Sequence, residues 1–159
     1  MISYQTSKKI LKKAIIKIKD EDIKSTNSLN RILSTNVYSN INYPSGDNAA
    51  FDGYAINSND TRKIKKNSPV NFKIIGSIAA GAKPFKKKIN KFETIEIMTG
   101  GIIPKGFDTI IPIEQIVFNS SKKYILINEK IKKYDHVRFA GSDYKKNELV
   151  VKKNTIIQA

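Results

Sequence analysis

The chain has 159 residues, 40% of them apolar and 9% aromatic, which suits one folded domain or two small ones and excludes a disordered segment. Its 29 basic and 14 acidic residues give a formal charge of +15, but the excess is scattered lysine, and Arg31, Arg62 and Arg138 are the only arginines. Specific nucleic-acid readers lean on arginine, so no specific nucleic-acid partner is expected. The absence of cysteine excludes disulfides, thiolate metal sites and a cysteine nucleophile, and His136 is a lone histidine. No apolar run approaches the ~18 residues of a membrane span and no secretory leader is evident, so a cytoplasmic protein without membrane contact is expected.

From Ser3 to Lys19, residues Ile10, Leu11, Ala14, Ile15 and Ile18 recur at helical spacing among lysines, with Ser3 or Thr6 as N-cap. This predicts one amphipathic helix whose stripe packs on a later part of the chain or on a partner subunit. Ser28 to Leu33 reads as a second, shorter helix, followed by an extended segment from Asn36 to Asn42 that leads to Pro44. Ser45 to Asn57 is the one stretch where acidic, small and aromatic residues crowd together without lysine. Within it Asp52-Gly53 offers a turn with φ > 0 and Tyr54-Ala55-Ile56 opens a strand. An isolated Asp-Gly is most simply a hairpin turn whose carboxylate bonds its own backbone.

Beyond Tyr54 the pattern is β. Val70 to Ile75 and Thr94 to Met98 alternate, and Thr109 to Gln115 is an apolar run bent by Pro112. Gln115 to Phe118 pairs with Tyr124 to Ile127 across Asn119-Ser120-Ser121, and Leu149 to Val151 and Thr155 to Ile157 close the chain. Two further places carry chemistry. Thr99 ends a strand before Gly100-Gly101, so that a hydroxyl is followed by open backbone suited to an anion, although a plain strand-to-turn transition reads the same way. Arg138 and Asp143 flank a corner at Gly141, which by itself is a surface ion pair of little consequence.

Together the three stretches resemble, in order, the molybdopterin molybdenumtransferases, the MoeA proteins and the homologous gephyrin E domain. Asp47-Asn48-Ala49-Ala50-Phe51-Asp52-Gly53-Tyr54-Ala55 resembles the family's Asp-Asn-Ser-Ala-Met-Asp-Gly-Tyr-Ala. Ile97-Met98-Thr99-Gly100 with Pro104, Gly106 and Asp108 resembles its Ile-Met-Thr-Gly-Ala-x-x-Pro-x-Gly-x-Asp, and Arg138 to Asp143 its Arg-x-x-Gly-Glu-Asp. Ala49, Ser142, Phe139, Ala140 and Asn30 depart from the pattern, and the loss of arginines at Phe139 and Ala140 weakens an anion clamp there.

The resemblance implies an α+β fold in two subdomains. A helix-containing elongated one would comprise residues 1–43 and 144–159, with a β-rich subdomain, 44–143, inserted between. It implies insertion of molybdenum from molybdate into adenylated molybdopterin, with release of AMP and with magnesium, in a homodimeric enzyme. Asp52, Thr99 and Asp143 match cleft residues implicated in the reaction, Gly100 and Arg138 become substrate-binding candidates, and Asp52 and Asp143 metal ligands. The family's α/β substrate domain and C-terminal β domain have no counterpart before Ala159, so the chain is expected to be inactive alone. The missing domain would then lie in the same parent protein or on another chain. The competing classes are a non-catalytic dimerisation or scaffold module and a basic RNA-binding domain.

Overall fold

The computed structural model describes residues 1–14, 18–65, 68–83 and 85–158. The chain divides into two compact units, Met1–Val37 with Val151–Ala159, and Tyr38–Val150. In chain order the elements are α1 (Tyr4–Lys13), β1 (Val37–Tyr38), β2 (Asn48–Ala49), β3 (Gly53–Ile56), β4 (Val70–Ile78) and β5 (Glu93–Ile97). There follow β6 (Thr109–Pro112), β7 (Val117–Phe118), β8 (Tyr124–Ile127), β9 (Val137–Arg138) and β10 (Leu149–Val151). Mixed and sheet-dominated, with one α-helix among the described residues, the chain is α+β in the broad sense.

In the smaller unit, the Ser3 hydroxyl accepts from the Thr6 amide at 3.2 Å and caps α1. The helix ends at Lys13 rather than Lys19, because Ala14 turns extended at ψ 108. Ile15 lies outside the described residues, and Ile18 is not helical. None of the helix's residues is buried. The second expected helix, at 28–33, does not form. Asn30 takes a left-handed φ of 63, which a right-handed helix does not admit, and only a 3-10 turn, Ser25–Asn27, precedes it. Instead the Ile32 region runs antiparallel to Ile156, with Asn30 N–H donating to Ile157 O at 2.8 Å and Ile157 N–H to Arg31 O at 2.8 Å.

The larger unit is built on a six-stranded sheet of order β6-β3-β5-β4-β8-β7. All neighbours are antiparallel except β4 and β5, which run parallel with a register irregularity between Ile74 and Ser77. Alternation along each strand sends side chains to opposite faces, and both faces are covered. Ala55, Ile95, Ile97 and Ile110 join Ala49, Ile78 and Phe107 in one core cluster, whereas Tyr54, Ile56, Phe72, Ile111, Ile125 and Ile127 form the other. Thr94, wholly buried, donates its hydroxyl to Ala55 O at 2.9 Å, so a polar group inside the sheet is satisfied. The hairpin of β7 and β8 forms as its sequence suggests, with Phe118 opposite Ile125, and Pro112 ends β6 where a 3-10 turn, Ile113–Gln115, begins. Among the described residues no helix is long and apolar enough to cross a membrane.

Gly53 corrects the expectation of a turn. Its φ is not positive; it is the buried first residue of β3, paired on both sides, with Ile97 and with Pro112. A Cβ there would stand 2.0 Å from Ile111 O, so close strand approach, not turn geometry, requires glycine.

Candidate functional site

The stretch from Asp47 to Asp52 is held on two sides. On one, Ala49 N–H donates to Gly101 O at 3.0 Å, Gly100 N–H to Ala49 O at 2.9 Å and Ile103 N–H to Asp47 O at 2.9 Å. On the other, β2 pairs with β9, setting Asn48 opposite Arg138 and Ala49 opposite Val137, and Ala50 N–H donates to His136 O at 3.0 Å. Thus the three stretches singled out in the sequence form one junction, with the Asp47–Asp52 segment in its middle. The clamp also engages Asp47, whose Oδ1 accepts from Ala140 N–H at 2.8 Å.

Asp52 lies just before β3, and Thr99 just after β5, its neighbour in the sheet. The Thr99 amide and hydroxyl both donate to Asp52 Oδ1, each at 2.6 Å. That geometry lowers the Asp52 pKa below the ordinary carboxylate value, chiefly through the Thr99 hydroxyl and then its amide. Oδ2 carries no hydrogen bond among the described residues, and Asp52, Thr99 and Gly100 are all exposed. Gly100 turns at φ +79, and a Cβ there would approach only Ala80 Cβ, at 3.8 Å. Gly101, by contrast, is buried, and a Cβ on it would stand 2.8 Å from Ile97 Cγ1 and 2.9 Å from Met98 O. Close backbone approach at Gly101 therefore helps to deliver Thr99 to Asp52.

The second pair is Arg138 with Asp143, joined through Nη2 and Oδ2. The guanidinium lowers the Asp143 pKa, and the carboxylate raises that of Arg138. Asp143 Oδ1 accepts from the Ser142 hydroxyl at 3.3 Å. The corner between them is Gly141, at φ +70, whose N–H donates to Pro44 O at 2.9 Å. Asp52 and Asp143 thus belong to separate pairs. Among the described residues no group of three or more His, Asp or Glu side chains is arranged to hold a metal ion. Where arginines would have stood, Phe139 packs edge-on against Tyr134 at 5.4 Å and Ala140 contributes only its amide.

Sequence reasoning gave no role to Asn48. It is 6% exposed at the centre of the junction, and its Oδ1 is buried with no hydrogen-bond partner among the described residues. Such acceptors are nearly always paired in folded proteins, so this oxygen marks a place for a donor such as a bound water. Two cavities of the larger unit, of about 440 and 350 Å³, are lined by none of Asp52, Thr99, Gly100, Arg138 or Asp143. Asp52 is instead exposed, as are Thr99 and Gly100 beside it.

The fold and the site define a β-rich module that presents a fixed carboxylate on an exposed junction of three loops. A family model described as the MoeA N-terminal region, domains I and II, matches residues 2–159, and the chain belongs to that family. It is 31% identical over 147 residues to a molybdopterin molybdenumtransferase of Haemophilus influenzae, covering 92% of this chain and 35% of the relative. The counterpart of that name in Bacillus subtilis is 30% identical over 130 residues, covering 80% of this chain and 30% of the relative. Among solved structures, the molybdopterin biosynthesis moeA protein of Pyrococcus horikoshii OT3 superposes with a TM-score of 0.86 at 28% identity. That match covers 99% of this chain and 41% of the other. The chain spans about a third of the length of the curated relatives it matches.

Proposed function

We propose that this chain supplies the N-terminal face of a cleft in which molybdenum from molybdate is inserted into adenylated molybdopterin with release of AMP, a step of molybdenum cofactor biosynthesis. One observation carries the reading: Asp52, held through Oδ1 by both donors of Thr99, keeps its other oxygen exposed at the junction of the three family stretches. With its pKa lowered, Asp52 remains a carboxylate through the neutral range. It therefore suits holding a cation or orienting water, and does not act as an acid. Thr99 is a positioning residue, since its hydroxyl and amide are both engaged by Asp52, and Gly100 keeps the adjoining surface low enough for substrate. Arg138, anchored by Asp143, offers its remaining N–H groups to an anionic substrate oxygen.

The donor chemistry fits magnesium, a hard cation commonly held by one or two carboxylates together with substrate phosphates and water. Asp52 Oδ2 is the oxygen that would hold it, because Asp143 is engaged by Arg138 and Ser142. Bound there, magnesium supplies charge neutralisation at the phosphoanhydride. The homodimer, the cytoplasmic setting and an α/β substrate domain, in the same parent protein or on another chain, belong to the same proposal.

The test is molybdenum insertion into adenylated molybdopterin, assayed with the chain alone and then with a separately supplied α/β domain of a related enzyme. Activity on mixing, abolished by Asp52→Asn, is the expected result; equal activity of the Asn variant removes Asp52 from the mechanism. A second reading, as an assembly module, draws on α1, where Ile10 and Leu11 are 53% and 73% exposed. It predicts a dimer in light scattering that Leu11→Glu dissociates, with or without activity.

A further inference from the structure

The cavity of about 440 Å³ in the larger unit is lined by Ser58, Asn59, Arg62, Lys130, Ile131, Lys132 and Lys133. Four of its seven lining residues are cationic and none is acidic. A lysine-rich chain presents lysines everywhere, but three features set this cluster apart.

The first is that the lysine-bearing loop is fixed. Ile131 N–H donates to Thr61 Oγ1 at 3.0 Å, and Lys132 O accepts from Thr109 Oγ1 at 3.1 Å. Thr61 and Thr109 are both wholly buried. Thr61 also donates to Ser58 O at 2.8 Å, which ties the loop to the 3-10 turn Ser58–Thr61 on the other side of the cavity. A solvated lysine run needs no such fastening, whereas a preorganised cationic site does.

The second is Arg62. Of the three arginines, Arg31 pairs with Glu21 and Arg138 with Asp143, whereas Arg62 has no carboxylate partner among the described residues. Its planar fork suits the oxygens of a phosphate. The third is the state of the carboxylate bonded to the lining residue Ser58. Asp108 Oδ1 accepts from Ser58 N–H at 2.8 Å and Oδ2 from the Ser58 hydroxyl at 3.0 Å, so it fastens the cavity wall.

We propose that this cavity is a binding site for a small oligophosphate, of which pyrophosphate and the diphosphate of a nucleotide share the chemistry. The volume falls in the range of small-molecule pockets, and the concave shape favours a compact anion over an extended polyanion. None of the lining residues belongs to the Asp52 junction, so the site does not depend on the molybdenum-insertion reading.

Isothermal titration calorimetry of pyrophosphate, ADP, AMP and a short single-stranded RNA into the chain at moderate salt tests it. Pyrophosphate is expected to bind saturably with one site per chain, and a diphosphate group to bind at least several-fold more tightly than the single phosphate of AMP. ADP binding no tighter than pyrophosphate assigns the site to free oligophosphate, and tighter ADP binding assigns it to a nucleotide; both support the site. Arg62→Gln and Lys132→Gln, both at exposed positions, should each weaken pyrophosphate about tenfold, the loss of one charge-assisted contact. The double variant Lys87→Gln/Lys88→Gln removes two charges from elsewhere and should change binding less than about twofold. No saturable pyrophosphate binding, equal losses in the cavity and control variants, or tighter binding of the RNA than of pyrophosphate would each overturn the proposal.

Discussion

Gly53→Ala is the substitution by which the close approach of β3 to β6, beside Asp52, is most directly tested. The added Cβ would lie 2.0 Å from Ile111 O, 2.9 Å from Ile111 C and 3.0 Å from Pro112 Cα. All three are backbone atoms of β6, so no side-chain rotation relieves the contact, and β6 must withdraw from β3 by on the order of 1 Å. The two strands are paired from Gly53 opposite Pro112 to Ile56 opposite Thr109, so withdrawal stretches the ladder at its start. Overpacking of this kind costs about 1–3 kcal/mol, and each ladder hydrogen bond lost adds about 1 kcal/mol. With one ladder bond lost, a destabilisation of about 2–4 kcal/mol follows, a large fraction of an ordinary domain's stability. Urea unfolding followed by circular dichroism measures it, with Gly46→Ala as control, where the nearest atom is the movable Ile102 Cδ1 at 3.3 Å. A Gly53→Ala loss below about 1 kcal/mol, no larger than the cost of an ordinary surface change, would refute the close-approach argument.

Thr99→Val removes the largest influence on Asp52, so the Asp52 pKa should rise toward the ordinary value while the remaining amide contact keeps part of the shift. Carbon NMR of the carboxyl group follows it, and an unmoved titration contradicts the assignment. A carboxylate with a depressed native pKa stabilises the fold above its unfolded pKa, and the contribution disappears as pH falls through the native pKa. The Thr99 variant should therefore show a shallower loss of stability in acid than the parent. Arg138→Gln should raise the Asp143 pKa in the same way, leaving Asp52 unchanged, and paired titrations distinguish local coupling from a general charge effect. Phe72→Ala should cost about 3–5 kcal/mol in urea unfolding, because Phe72 is wholly buried in its core cluster and meets Phe92 edge-on at 5.5 Å.

The strands were legible from local pattern: β5 from its alternation, β3 and β6 from short runs beginning at Tyr54 and Thr109, and the β7–β8 hairpin from the two runs flanking Asn119-Ser120-Ser121. Failures came where local pattern met a non-local or backbone constraint. Apolar spacing at 28–33 suggested a helix, but Asn30 turns left-handed and the segment runs beside Ile156, at the far end of the chain. Gly53 looked like a turn glycine because nothing in its neighbours reveals that Ile111 O will lie against it. Parallel pairing of β4 with β5 is equally hidden, since a register is a property of two strands. At the site, residue types were readable and contacts were not. Asp52 and Thr99 are 47 positions apart, and of the sequence signals only the family resemblance relates them.

The same geometry limits what Asp52 does. Gly53 permits β3 to enter the sheet beside β6, and Gly101 permits the turn after β5 to close, so the backbones before β3 and after β5 bring Asp52 and Thr99 together. The carboxylate is thereby fixed by rigid elements while staying in water, a combination that suits a group waiting for a ligand. A structural carboxylate of the same fold looks different: Asp108 has both oxygens engaged by Ser58 and is half-buried. Asp52 has one oxygen fixed and the other without a hydrogen bond among the described residues, and its side chain is exposed. On the proposed function, a substrate held at Asp52 would need a second surface to close over it, and water exclusion, which strengthens each charge contact there, would arrive with that surface.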